Sequence, residues 1–168
     1  MPGPVWLQGP IDGVPTLLQP VAHALIEANE DIQALVPSLS IEAVWSRPGG
    51  AASVGYHVRH AMGSLDRLFT YARDEALNET QLATLAAEKS MDRTTATPSE
   101  LAADFSSAVG RALAQLRATS QADLLAPRVV GRAKATSNVI GILVHAGDHT
   151  YRHVGQAITT AKIVKGGA

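Results

Sequence analysis

The sequence predicts an all-α fold, a four-helix bundle with long connectors, as a single domain over residues 1–168. Three observations lead to this prediction. Four stretches carry apolar residues at steps of three and four, the period of an amphipathic helix. Aromatic residues make up only 4 % of the chain while alanine and leucine are abundant, a composition that favours helices over sheets. The segments between the stretches are long, so at least one crossover connection is expected.

The first helix is expected to follow an irregular N-terminal arm. Residues 1–15 are rich in proline and glycine, which interrupt regular structure. The helix begins after Pro20 and continues to about Val36, because Pro37 cannot extend it. Residues 37–50 then form a connector, with one short helical turn near residues 41–45.

The second predicted helix begins at Ser53, whose side chain suits the N-cap position, and continues to about Arg73. Its apolar stripe steps by four and three without a break. The stripe consists of Val54, Val58, Ala61, Leu65, Leu68 and Ala72. Residues 74–97 are less regular, and within them residues 82–89 predict a short helix.

The third predicted helix has the clearest start in the chain. Thr97 suits the N-cap, Pro98 the first position and Glu100 the third, which together form a capping box. Residues 119–136 are expected to be a connector. The fourth helix is predicted over residues 137–164, before two glycines. Its stripe contains Val139, Ile142, Ala146, His149, His153, Ala157 and Thr160.

Composition excludes several classes of function. The net charge is −1, so the chain has no electrostatic footprint for nucleic acid or an anionic membrane surface. No apolar run approaches the roughly 18 residues that span a bilayer, and the N-terminus does not resemble a secretory signal. We therefore expect a cytoplasmic protein. The absence of cysteine excludes disulfides, thiolate metal ligands and a catalytic protein thiol.

Five of the six histidines fall into two clusters. His145, His149 and His153 are spaced four apart, which places them above one another on one helix face. His57 and His60 lie on the second predicted helix. A lone histidine on an apolar face is usually a core residue satisfied by hydrogen bonds. Two histidines on the same face of one helix, with further histidines on another helix, favour a shared metal site.

Geometry limits which histidines can share one ion. His145 and His153 are about 12 Å apart along the helix axis, whereas a zinc–nitrogen bond is only about 2.0–2.1 Å. The pair on this helix is therefore either His145 with His149 or His149 with His153. The third ligand must come from His57 or His60. Three histidines without a fourth protein ligand leave open positions, as in catalytic metal sites.

These residues resemble the DinB/YfiT-like superfamily of small metal-binding helical bundles over about residues 15–165. The second helix carries Ser53-Val54 followed by His60 and Ala61, and residues 149–156 match the HxxxHxGQ signature. The resemblance implies a divalent metal, nickel or zinc, bound by His60, His149 and His153. It also implies a homodimer.

Four other residues are candidates for supporting roles. His57 is the reserve ligand, since it lies closer than His60 to the centre of its apolar stripe. His145 is expected beside the ligands or at the cleft edge. Asp148 is a candidate to orient an imidazole or act as a base, although an aspartate beside a motif is more often solvated. Gln156 is a candidate for a hydrogen bond within the site.

The function favoured by these patterns is a metal-dependent enzyme acting on a small-molecule substrate. The catalytic residues stay unassigned. The resemblance adds a low-molecular-weight thiol as a candidate cofactor, because some relatives, such as mycothiol-dependent maleylpyruvate isomerase and bacillithiol transferase, use one. A chain without cysteine is consistent with an external thiol, and hydrolysis is the other option. The alternatives are a non-catalytic metal-binding or stress-response protein and a bundle whose histidines only pack.

Overall fold

A computed structural model describes residues 3–88 and 96–166. Six α-helices lie in these residues and the structure is 73 % helical, which confirms the all-α class. The helices are α1 Gln19–Leu35, α2 Ile41–Trp45, α3 Val54–Ala72, α4 Glu79–Ala87, α5 Pro98–Ala118 and α6 Val139–Gly166. One antiparallel hairpin, β1 Pro127–Val130 and β2 Ala135–Asn138, precedes α6.

The four long helices pack in a closed ring. Helix α6 contacts α3 and α1, and α5 contacts the same two helices. Helices α1 and α3 therefore lie diagonally, and residues 36–53 cross between them, as the long connectors predicted. Short helices α2 and α4 occupy parts of the connectors, and both pack on α3. Within the described residues, no helix is long and apolar enough to cross a membrane.

Side chains at the helix starts define where the helices begin. The Ser53 hydroxyl accepts a hydrogen bond from the Tyr56 amide at 3.1 Å. Thr97 and Glu100 form the predicted capping box at the start of α5. Helix α4 begins with a second capping box, between Asn78 and Gln81. These contacts satisfy amides that lack partners in the first turn, so local sequence sets the starts of these three helices.

The connector 119–136 contains structure that the sequence did not predict. The strands pair Pro127 with Asn138 and Val130 with Ala135. Each strand has four residues, too few for alternation to stand out from a loop. Helix α6 begins at Val139 rather than Ser137, because Asn138 Oδ1 caps it by accepting a hydrogen bond from the Gly141 amide at 2.8 Å.

The buried face of α6 differs from the predicted stripe. Gly147, Thr150 and Val154 are buried, whereas His149 and His153 lie at the border of the buried face and are partly exposed. Gly147 permits a close approach between helices, since a Cβ at this position would lie 3.3 Å from Val21 Cγ1 on α1. Both histidines therefore face α3, as the predicted stripe requires, but they lie at the border of the buried face rather than inside it.

Candidate metal centre

Three histidines from two helices meet between α3 and α6. His60, His149 and His153 each offer one ring nitrogen, and these atoms all lie within 4.8 Å of one another. The ring centroid of His153 lies 4.5 Å from that of His60 and 4.6 Å from that of His149. All three side chains are partly buried. The structure thus brings together the three histidines that the motif singled out.

The spacing of the donor atoms fits a single transition-metal ion. His60 Nε2 and His149 Nε2 are 3.1 Å apart. Two nitrogens bound to one zinc ion at about 2.1 Å are separated by about 3.0–3.4 Å for bond angles between 90° and 109°. Imidazole nitrogen is a ligand that suits zinc and nickel. The chemistry of the three donors and the spacing of His60 and His149 therefore fit the expected ion, with the His153 nitrogen within 4.8 Å of both.

His57 lies behind the three histidines. It is 7 % exposed, and its Nδ1 is 3.1 Å from Nδ1 of His153. With Nδ1 of His153 occupied in this way, Nε2 is the nitrogen of that ring left for an ion. The sequence did not decide whether His57 or His60 is the third ligand. The structure distinguishes them, because His60 Nε2 lies beside His149 Nε2 whereas His57 contacts Nδ1 of His153.

Sequence reasoning missed a buried carboxylate in the site. Glu88, the residue after α4, accepts a hydrogen bond from His60 Nδ1 at 2.8 Å. Its other oxygen accepts one from Arg67 at 2.5 Å, and the Glu88 side chain is 8 % exposed. Arg67 lies seven residues after His60, on the same face of α3, and this spacing could have indicated that its charge lies near the site. No local pattern places Glu88 beside them.

Burial and neighbouring charge favour the neutral form of His153, His149 and His57. Burial, and after it the nearby imidazoles of His60, His149 and His57, together lower the pKa of His153 to about 4. Burial and the charge of His60 also lower the pKa values of His149 and His57. Neutral imidazole is the form that binds metal, so these shifts favour a ligand state at neutral pH.

The Glu88 carboxyl behaves in the opposite way to an isolated buried acid. Burial alone would raise its pKa, but the hydrogen bonds from His60 and Arg67 and their charges outweigh this effect. The pKa of Glu88 therefore lies below its ordinary value, and the carboxylate is ionised at neutral pH. An ionised carboxylate can only accept hydrogen bonds, so the proton between it and the imidazole is donated by His60 Nδ1.

The other candidates lie at the exposed edge of the cluster. His145 is exposed, with its ring centroid 5.5 Å from that of His149. Asp148 is also exposed and pairs with Arg152 at 2.7 Å. Gln156 faces outward. The carboxylate that contacts a clustered imidazole is thus Glu88 rather than Asp148.

Aromatic side chains flank the histidines on α3. The Tyr56 ring stacks on His60, with centroids 5.6 Å apart and planes 4° apart. Trp45 packs on α3 at Gly55, where a Cβ would lie 2.3 Å from the indole ring. The indole Nε1 donates to the Ala96 carbonyl at 3.2 Å. Trp45 therefore covers the first turn of α3.

Comparisons with known proteins agree with this architecture. Residues 24–157 match the family model of the DinB superfamily. The chain is similar to a solved structure of a conserved protein from Enterococcus faecalis, with a TM-score of 0.66 and 20 % sequence identity. The alignment covers 89 % of this chain and 97 % of that one. At this identity the likeness concerns the fold alone. A search of curated proteins gave no significant match.

Proposed function

The chain belongs to the DinB superfamily, and on this premise we propose that it is a metal-dependent enzyme. His60, His149 and His153 hold one divalent transition-metal ion, nickel or zinc. The observation that carries the proposal is the convergence of their ring nitrogens within 4.8 Å. Bound there, the ion supplies Lewis acidity, and three protein ligands leave positions for a small-molecule substrate.

Residues around the ligands suit distinct tasks in such an enzyme. Tyr56 covers one face of His60 and limits access of water from that side. His145 is exposed, with its ring 5.5 Å from that of His149, and is our candidate to take or give a proton beside the ligands. Because the chain lacks cysteine, thiol chemistry would use a low-molecular-weight thiol from outside as the second reactant. Hydrolysis is the other reaction class.

A metal-binding protein without turnover is the second candidate. The observation that favours it is that each of the two carboxylates near the cluster, buried Glu88 and exposed Asp148, is already held in an ion pair. Glu88 is held by His60 and Arg67, and Asp148 pairs with Arg152. Neither is therefore available as a general base without breaking an ion pair, and proton transfer would depend on His145.

The first experiment measures bound metal. We strip the protein with a chelator, load it with zinc or nickel, remove unbound ions and determine the metal content of the chain. The expected result is one ion per chain in the wild type and a loss of stoichiometric metal in His60→Ala and His149→Ala. His23→Gln, at a histidine on α1 outside the cluster, is the matched control and keeps its ion. Wild-type protein that stays metal-free after loading would refute the proposal.

The second experiment distinguishes catalysis from binding. Metal-loaded protein is paired with several small thiols and electrophiles and with hydrolysable esters and amides. Turnover that is lost in His145→Gln, with metal content unchanged, supports the enzyme and the assigned role of this histidine. Stoichiometric metal without turnover in any pairing supports the binding protein. Light scattering of the same samples tests the expected homodimer.

A further inference from the structure

Helix α4 is held to α3 mainly by polar side chains. Its leucines face outward, with Leu82 45 % and Leu85 41 % exposed. The buried side chains at its two ends are Gln81 and Glu88. Gln81 Nε2 donates to Asp66 Oδ2 at 2.6 Å and to a hydroxyl of α3 at 2.8 Å. With little apolar area buried by α4, these two polar anchors fix its position on α3.

The anchor at Glu88 reaches the proposed metal centre directly. Arg67, Glu88 and His60 form a continuous chain of hydrogen bonds. Gly63 makes room for it, because a Cβ at that position would lie 2.9 Å from both Arg67 Nη1 and Glu88 Oε1. An ion pair this buried contributes little to stability over apolar packing, so its placement against a clustered histidine calls for another explanation.

The tautomer of His60 supplies that explanation. A neutral imidazole carries one N–H, and the ionised Glu88 carboxylate can only accept a hydrogen bond. In the neutral form that binds metal, the proton of His60 therefore lies on Nδ1 and the lone pair on Nε2. Nε2 is the nitrogen that faces His149 at 3.1 Å. Without Glu88 the imidazole is free to adopt the other tautomer, in which Nε2 carries the proton and cannot bind an ion.

We propose that Glu88 is a positioning residue for the metal centre and that it couples the centre to α4. Held by Arg67, its carboxylate keeps His60 in the ligating tautomer and orientation. Metal binding in turn strengthens the hydrogen bond between His60 and Glu88, so it tightens the attachment of α4 to α3. The effect of the Glu88 contact on metal affinity equals the effect of metal on the attachment of α4, because both measure the same coupling free energy. This inference rests on the metal site of the proposed function.

The first test compares zinc affinities by chelator competition near neutral pH. Glu88→Gln keeps the shape of the side chain, but its amide cannot accept from both His60 and Arg67. We expect zinc binding to weaken about 10–100-fold, as for other residues that orient a metal ligand. Glu79→Gln removes the same charge at an exposed position of α4 and is the matched control, with affinity unchanged.

A second variant distinguishes positioning from folding. Glu88→Gln combined with Arg67→Met removes both charges, so no unpaired charge stays buried and stability recovers towards that of the wild type. Zinc affinity stays low if Glu88 positions His60. Affinity that recovers together with stability would show that the pair acts only through folding, and would overturn the inference.

Hydrogen exchange gives a readout that is independent of affinity. Zinc is expected to slow amide exchange over residues 82–87 in the wild type and to have less effect there in Glu88→Gln. A wild type that binds no zinc refutes the proposed function itself. A wild type that binds zinc, with equal affinity in Glu88→Gln or with α4 exchange unchanged by zinc, refutes only the role assigned to Glu88.

Discussion

Acidification should destabilise the metal-free protein through His153. The folded-state pKa of this imidazole is about 4, mainly because of burial and then because of the neighbouring His60, His149 and His57. In the unfolded chain its pKa is about 6.5. The unfolded state therefore binds more protons than the folded state between these two pH values. Stability contributed by the neutral imidazole is complete above about pH 6.5 and is lost as the pH falls towards 4.

The size of this effect follows from the two pKa values. For a single group with pKa values of about 6.5 unfolded and about 4 folded, the linkage relation gives a loss of about 2.5 kcal/mol between pH 7.5 and 4.5. His149 and His57 shift in the same direction and steepen the loss. The pKa of Glu88 is also lowered, so its carboxylate adds a further loss of stability as the pH falls below the ordinary pKa of a glutamate.

Urea unfolding followed by circular dichroism measures the effect. The free energy of unfolding is determined from pH 7.5 to 4.5 in chelator for the wild type and for His153→Gln, which cannot titrate. The fall in stability across this range should be smaller in the variant by about 2.5 kcal/mol. Gln156→Ala, a change at an exposed and non-titrating position of the same helix, is the control and should keep the wild-type pH dependence. Parallel pH profiles for the wild type and His153→Gln would refute the reasoning.

Two further predictions concern helices α3 and α5. Gly55→Ala places a Cβ within 2.3 Å of the Trp45 ring and should cost about 1–3 kcal/mol by overpacking. Gly110→Ala, where a Cβ meets nothing within 4 Å, should stabilise the protein by about 0.5–1 kcal/mol. Thermal unfolding checks both variants, and equal melting temperatures for Gly55→Ala and Gly110→Ala would contradict both expectations. Thr97→Ala removes the cap that accepts from the Glu100 amide at 3.2 Å and should cost about 1 kcal/mol in urea unfolding, whereas Thr97→Ser should retain most of the stability.

Local sequence determined the helical class and several helix starts. Periods of three and four depend only on residues within one helix, and a cap such as Ser53 or Thr97 satisfies amides three residues away. These interactions are present wherever the segment is helical, so they could be read before any packing was known. The spacing of His149 and His153 on one face is a property of the same kind.

The tertiary structure decided how the site is assembled. Which of His57 and His60 joins the cluster with His149 and His153, and with which ring nitrogen, depends on the rotation of α3 about its axis when it packs on α6. The close approach at Gly147 sets the corresponding rotation of α6 and moves the histidines to the border of the core. Glu88 directly follows a separate helix, α4, and lies 28 residues along the chain from His60, so only packing of α4 on α3 brings it there. The sequence therefore determined the helices and the histidines they carry, whereas packing between segments distant in the chain determined which atoms meet.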